Sequence, residues 1–131
     1  MADVKLNFLH VCDYVSFSEG KLNILGVFKN INAHSVPVIH PQMFVVVNVR
    51  ITRSGKYRQT LKMINEINQI EIFKQDFDLN IDIPKGKKQV EVGTVAQLNN
   101  ISFSNYGKYK IQVFLDDEFV DESGIEVNKK A

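Results

Sequence analysis

The stretch Met43-Phe44-Val45-Val46-Val47-Asn48-Val49-Arg50-Ile51 decides the fold. Met43, Val45, Val47, Val49 and Ile51 share one parity, and Phe44, Val46, Asn48 and Arg50 the other. Successive side chains of an extended chain point to opposite faces, so this spacing predicts a strand with one wholly apolar face. Its β-branched residues lose rotamer freedom in a helix and pack well on a pleated surface. Tyr109, Ile111, Val113 and Leu115 repeat the pattern against Lys108, Lys110, Gln112 and Phe114. So do Phe77, Leu79, Ile81 and Ile83 against Asp76, Asp78, Asn80 and Asp82. The whole chain carries the same bias, with 29 Val and Ile residues against 12 Ala and Leu.

Turn chemistry separates the stripes. Ser18-Glu19-Gly20-Lys21, Arg53-Ser54-Gly55-Lys56, Pro84-Lys85-Gly86-Lys87 and Asn105-Tyr106-Gly107-Lys108 each supply a glycine where a reversal needs positive φ, and Asp116-Asp117-Glu118 is a further tight turn. The strands then read 4–17, 22–32, 43–52, 57–66, 69–83, 88–103, 107–115 and 119–127. At 65–69 a helical turn competes with a plain reversal. Residues 33–42, with Pro37 and Pro41, read as an irregular crossover, because proline cannot donate to a sheet ladder. About eight strands without a helix predict an all-β, antiparallel sandwich or barrel. The 131 residues suit a single domain spanning 1–131.

Two resemblances refine this reading. Asn105-x-Gly107-x-Tyr109-x-Ile111 resembles the Asp-x-Gly-x-Tyr-x-Cys stretch of immunoglobulin-like domains, with Asn for the acid and Ile for the cysteine. That resemblance implies an immunoglobulin-like β-sandwich in which the Tyr109 hydroxyl bonds back to the upstream turn. The chain departs from antibody domains in having no tryptophan and one cysteine. Over most of its length it also resembles a family of small bacterial β-sandwich proteins classed as a domain of unknown function. The residues carrying this are Cys12-Asp13-Tyr14, Glu19-Gly20-Lys21-Leu22-Asn23-Ile24-Leu25-Gly26, His40-Pro41 and Gly107-x-Tyr109. The second resemblance transfers no catalytic or ligand-binding residue.

Several classes of function fit poorly. The longest apolar runs have five residues, where a membrane-spanning helix needs about 20. The opening Met1-Ala2-Asp3-Val4-Lys5 leads into no apolar core of a secretory signal, and the single Cys12 forms no intrachain disulfide, which together point to the cytoplasm. His10 and Cys12 share a strand face, but only His34 and His40 remain as further ligands of that kind, without zinc-site spacing. Nothing near Cys12 supplies the positive charge that activates a thiolate, so a buried, inert residue is expected. Asp13 interrupts an apolar strand and is expected either at an exposed edge or in a buried hydrogen-bonded role. The acids after Leu115 lack the ligand alternation of a calcium loop. The Gly-Lys pairs lack phosphate-loop spacing. No catalytic residue, metal or cofactor is assigned.

Charge distribution is the remaining signal. A net charge of +1 hides a basic segment, with Arg50, Arg53, Lys56, Arg58 and Lys62 around Tyr57, and an acidic one led by Asp116, Asp117 and Glu118. Solvated turns account for such charges, and complementarity to a partner is the functional reading. Arg50, Arg53, Lys56, Tyr57, Arg58, Asp116, Asp117 and Glu118 are therefore the candidate partner-binding residues. The expectation is a non-enzymatic protein-binding or structural module, meeting an unknown protein or a second copy of itself. The alternative is an oligonucleotide-binding β-barrel using a basic 50–62 hairpin, which the near-zero net charge and the lack of interleaved aromatics disfavour.

Overall fold

A computed structural model describes residues 3–131, leaving Met1 and Ala2 outside the description. Nine strands follow in order: β1 (Val4–Ser18), β2 (Lys21–Val27), β3 (Asn30–Ala33), β4 (Val38–Ile51), β5 (Gly55–Asn65), β6 (Glu71–Ile81), β7 (Val90–Phe103), β8 (Gly107–Leu115) and β9 (Glu118–Lys129). They form a four-stranded sheet, β2-β1-β4-β7, and a five-stranded sheet, β3-β9-β8-β5-β6. All neighbours are antiparallel except β3 and β9, which run parallel. This is the expected all-β, immunoglobulin-like sandwich. The two sheets end in separate edges, so the oligonucleotide-binding barrel is not formed.

The core follows from the alternation. Met43, Val45, Val47, Val49 and Ile51 of β4 pack with Leu61 and Met63 of β5 and with Tyr109, Ile111, Val113 and Leu115 of β8, all essentially removed from solvent. Burying each such side chain contributes about 1.5–3 kcal/mol. β4 has β1 on one side and β7 on the other over 44–51, which accounts for its unbroken apolar run.

Phe44 and Val46, on the opposite parity, join Cys12 and Val15 in a second cluster on the outer face of the same sheet, with Phe8, Leu22, Ile24 and Val95 packed against it.

Three expectations are corrected, and one left open is decided. The predicted 22–32 strand breaks at Phe28 and Lys29, where the chain leaves β2 in one sheet and enters β3 in the other. The predicted loop 33–42 is largely strand, since β4 begins at Val38 and includes Pro41. Proline is tolerated there because the pairing with β1 starts only at Phe44, leaving this stretch one neighbour. The β4–β7 register also passes from His40↔Ile101 to Gln42↔Asn99 around Pro41, opposite Asn100 with φ of 53°. Next, 50–62 is not a hairpin: β4 and β5 lie in different sheets, joined by Thr52, Arg53 and Ser54. Finally, 65–69 closes as one turn, with Gln69 N–H donating to Asn65 O at 2.9 Å and the Asn65 side chain accepting from Ile67 and Asn68 N–H.

The tyrosine corner is present. Tyr109, 1% exposed, donates its hydroxyl to Asn105 O at 3.0 Å and accepts from Asn105 N–H at 3.3 Å.

A charged groove on the five-stranded sheet

The acidic turn and the start of the basic strand meet at one end of the five-stranded sheet. Asp116 and Asp117 form the two-residue β8–β9 turn, both at positive φ (50° and 67°). Asp116 continues the ladder past its last paired residues: its N–H donates to Arg58 O at 2.8 Å, and its Oδ1 accepts from Arg58 N–H at 2.9 Å. On the other side of β5, Lys56 pairs with Asn80, Tyr57 with Leu79 and Arg58 with Asp78. Lys56, Tyr57, Arg58, Asp78, Leu79, Asn80, Asp116 and Asp117 thus line one open groove of about 590 Å³.

A smaller recess of about 160 Å³ shares Arg58 and Asp117 and adds Thr60, Lys62, Lys74, Asp76 and Phe114. There Thr60 Oγ1 donates to Asp76 Oδ1 at 2.6 Å, and Lys62 Nζ sits 4.9 Å from the Phe114 ring centre. Together they make a strip of mixed charge along the outer side of β5. Among the described residues the one ion pair is Lys110 Nζ to Glu122 Oε2 at 3.4 Å, on β8 and β9. Lys56 and Arg58 therefore face Asp78, Asp116 and Asp117 without closing a salt bridge.

Of the eight candidates read from sequence, the groove gathers five: Lys56, Tyr57, Arg58, Asp116 and Asp117. Arg50 belongs to the other sheet, where it lines a small recess with Asp3, Val4, Lys5, Thr52 and Gln89. Arg53 and Glu118 do not line the groove, though the Arg53 carbonyl accepts the Tyr57 hydroxyl at 2.6 Å. Burial raises the Tyr57 phenol above its ordinary range; Asp3 and Asp116 add to this and Arg53 opposes it. Asp78, Leu79 and Asn80 were missed, because nothing in the sequence says that β6 pairs with β5.

The remaining chemistry-bearing side chains lie apart from this groove. His10 stacks on Phe8 at 5.3 Å and His40 tilts against Phe28 at 5.5 Å, while His34 is exposed in the loop before β4. Cys12 is fully buried, and burial pushes its thiol up; the Tyr14 backbone contact opposes this and Asp13 reinforces it. Asp13 is exposed and lies over Gly26, whose φ of 70° and lack of a side chain leave room for the carboxylate. No group of three or more His, Cys, Asp or Glu is placed to hold a metal ion among the described residues. No helix among them is long and apolar enough to cross a membrane.

The two sheets and the tyrosine corner define an immunoglobulin-like sandwich, and solved structures of that shape are similar to it. One is an immunoglobulin-like protein from Pseudomonas aeruginosa, with TM-score 0.51, 13% identity, and coverage of 97% of this chain and 98% of that one. Another is the alkylpurine DNA glycosylase AlkC of Pseudomonas fluorescens bound to DNA with an abasic site analog (TM-score 0.57, 11% identity, 96% of this chain). A third is a beta-glucosidase from Listeria innocua (TM-score 0.50, 13% identity, 96% of this chain). The chain spans only 30% of the glycosylase and 16% of the glucosidase, so the likeness is one of fold. In sequence, residues 7–128 match the model of a family of unknown function, DUF6941, and the chain belongs to that family. No curated protein matches it in sequence.

Proposed function

We propose that this chain is a non-enzymatic protein-binding module whose contact surface is the charged groove along β5. The observation that carries this reading is the set of unclosed charges, Lys56 and Arg58 against Asp78, Asp116 and Asp117, around about 590 Å³ of open space. Charges held near each other without pairing are available to a partner's side chains, and mixed signs favour a polar protein surface over a polyanion. Leu79 and the Tyr57 ring add an apolar floor of the kind protein contacts use. The single buried cysteine fits a reducing, cytoplasmic setting.

Zero-length carbodiimide cross-linking of the purified chain with its co-purifying proteins tests this. The expected cross-links join Lys56, Asp78 or Asp117 to another polypeptide and weaken at least tenfold in Arg58→Glu and Asp117→Lys, with the melting temperature unchanged. A partner retained equally by both variants refutes the groove.

A further inference from the structure

We infer that β2 pairs antiparallel with β2 of a second copy of this chain, about a two-fold axis at Asn23, fusing two four-stranded sheets into one of eight strands. This surface lies on the other sheet from the groove and does not depend on it.

Four strands form the outer edges of the two sheets, and three of them are guarded. β6 carries Glu71, Lys74, Asp76 and Asp78, β7 carries Glu91 and is irregular at Asn100, and β3 has four residues. Charges, irregularities and short length are the usual protections against edge pairing. β2, Lys-Leu-Asn-Ile-Leu-Gly-Val, has one charge, at its turn end, and one irregularity, Gly26 at φ 70°, near its other end, which leaves 22–25 regular and uncharged. Large exposed apolar side chains gather on this hairpin: Phe17 is 73% exposed, and Tyr14, Leu25 and Val27 are about half exposed.

The hydrogen-bond phase selects the register. Glu19 and Gly20 make a two-residue turn with φ of 50° and 72°, so Ser18 and Lys21 form the bonded pair that closes the hairpin. Bonded pairs alternate along an antiparallel ladder, which makes Ser16↔Asn23 and Tyr14↔Leu25 bonded pairs too. Leu22 and Ile24 then turn their N–H and C=O groups to the free edge. The alternation ends at Gly26, since Phe28 N–H, on the same parity, donates inward to Val11 O at 2.9 Å. The Val27 C=O of that same peptide turns outward, so the outward donor–acceptor pairs that keep the hairpin's phase are those of Leu22 and Ile24.

The register that joins both of these to both of theirs sets Leu22 opposite Ile24 of the second copy and Asn23 on the axis. The sequence Leu22-Asn23-Ile24 has the same chemistry read in either direction, as an isologous contact requires. The axis also sets Lys21 beside the second copy's Leu25 rather than its Lys21, and brings the Glu19 end of one hairpin toward the Lys29 end of the other. A strand of seven residues buries less than the roughly 800 Å² per partner of a standard interface, so the dimer is weak and concentration-dependent.

Sedimentation equilibrium from ~10 µM to 1 mM tests the inference, using the full chain, Asn23→Lys, Asn23→Glu and an equimolar mixture of the two variants. The wild type is expected to gain mass toward a dimer with concentration. Like charges facing each other on the axis raise Kd up to about fivefold in each variant alone, and the mixture restores the dimer. That restoration separates repulsion from a folding defect, which mixing does not repair. A wild type monomeric throughout, variants that dimerise as well as the wild type, or a mixture without recovery each overturn it.

Discussion

Gln59 is fully buried between the sheets, and its amide is half satisfied. Oε1 accepts from Thr94 Oγ1 at 2.6 Å, which ties β5 to β7 across the sandwich, while Nε2 finds no acceptor in the protein. A net buried hydrogen bond stabilises by about 1 kcal/mol, whereas an unsatisfied buried polar group costs about 1–3 kcal/mol. Thr94→Val alone deprives Oε1 of its donor as well, and is expected to lose about 2 kcal/mol. Gln59→Met alone removes the orphaned donor but strands the Thr94 hydroxyl, so the two effects cancel to within about 1 kcal/mol. Combining them removes both polar groups and is expected to leave the protein about 1 kcal/mol more stable than wild type. At this chain length that is a rise of roughly 3–5 °C in Tm. Urea unfolding followed by circular dichroism or tyrosine fluorescence measures all four corners of the cycle, the chain having four tyrosines and no tryptophan. A double variant less stable than wild type by about 2 kcal/mol, or two additive single losses, refutes the idea that the amide is poorly satisfied.

Two further outcomes follow from the same physics. Tyr109→Phe removes a hydroxyl that both donates to and accepts from the Asn105 backbone, and is expected to lose about 1–2 kcal/mol by chemical denaturation; an unchanged midpoint would show the corner to be ornamental. Cys12 has its thiol pKa raised in the folded state by burial, so the folded chain holds its proton to higher pH than the unfolded chain. The stabilisation is complete below the ordinary thiol range and declines as pH climbs from there through the folded value. Stability of wild type should therefore fall more steeply with pH across that alkaline window than that of Cys12→Ala, and parallel profiles would contradict it.

The fold was legible where burial was one-sided and local. β4 and β8 announce themselves because every second side chain enters the core, and the Tyr109 corner needs only its own turn. The 22–32 segment carries one unbroken strand pattern in sequence, because the break at Phe28 and Lys29 is made by β3 pairing with β9, almost a hundred residues away. Pro41 signals a loop in sequence, because its tolerance in a strand depends on where the pairing with β1 stops. The same limit applies to the groove. Arg50 and Arg58 are close in sequence but separated by a change of sheet, whereas Arg58 and Asp116 are far apart in sequence and joined through their backbones. Asp78 could be found only through the β5–β6 register, and the apolar outer cluster under Phe44 and Val46 only by seeing that both faces of β4 are covered.

The parallel pairing of β3 with β9 has a consequence for synthesis on the ribosome. Asn30 through Ala33 align with Glu126 through Lys129, so the early strand has no mate until the final one emerges. With translation running at about 5–20 residues per second, the nascent chain carries that short strand unmated for several seconds. The five-stranded sheet is sealed only then, and a nascent-chain protease cutting near residue 30 would find its target open until that moment.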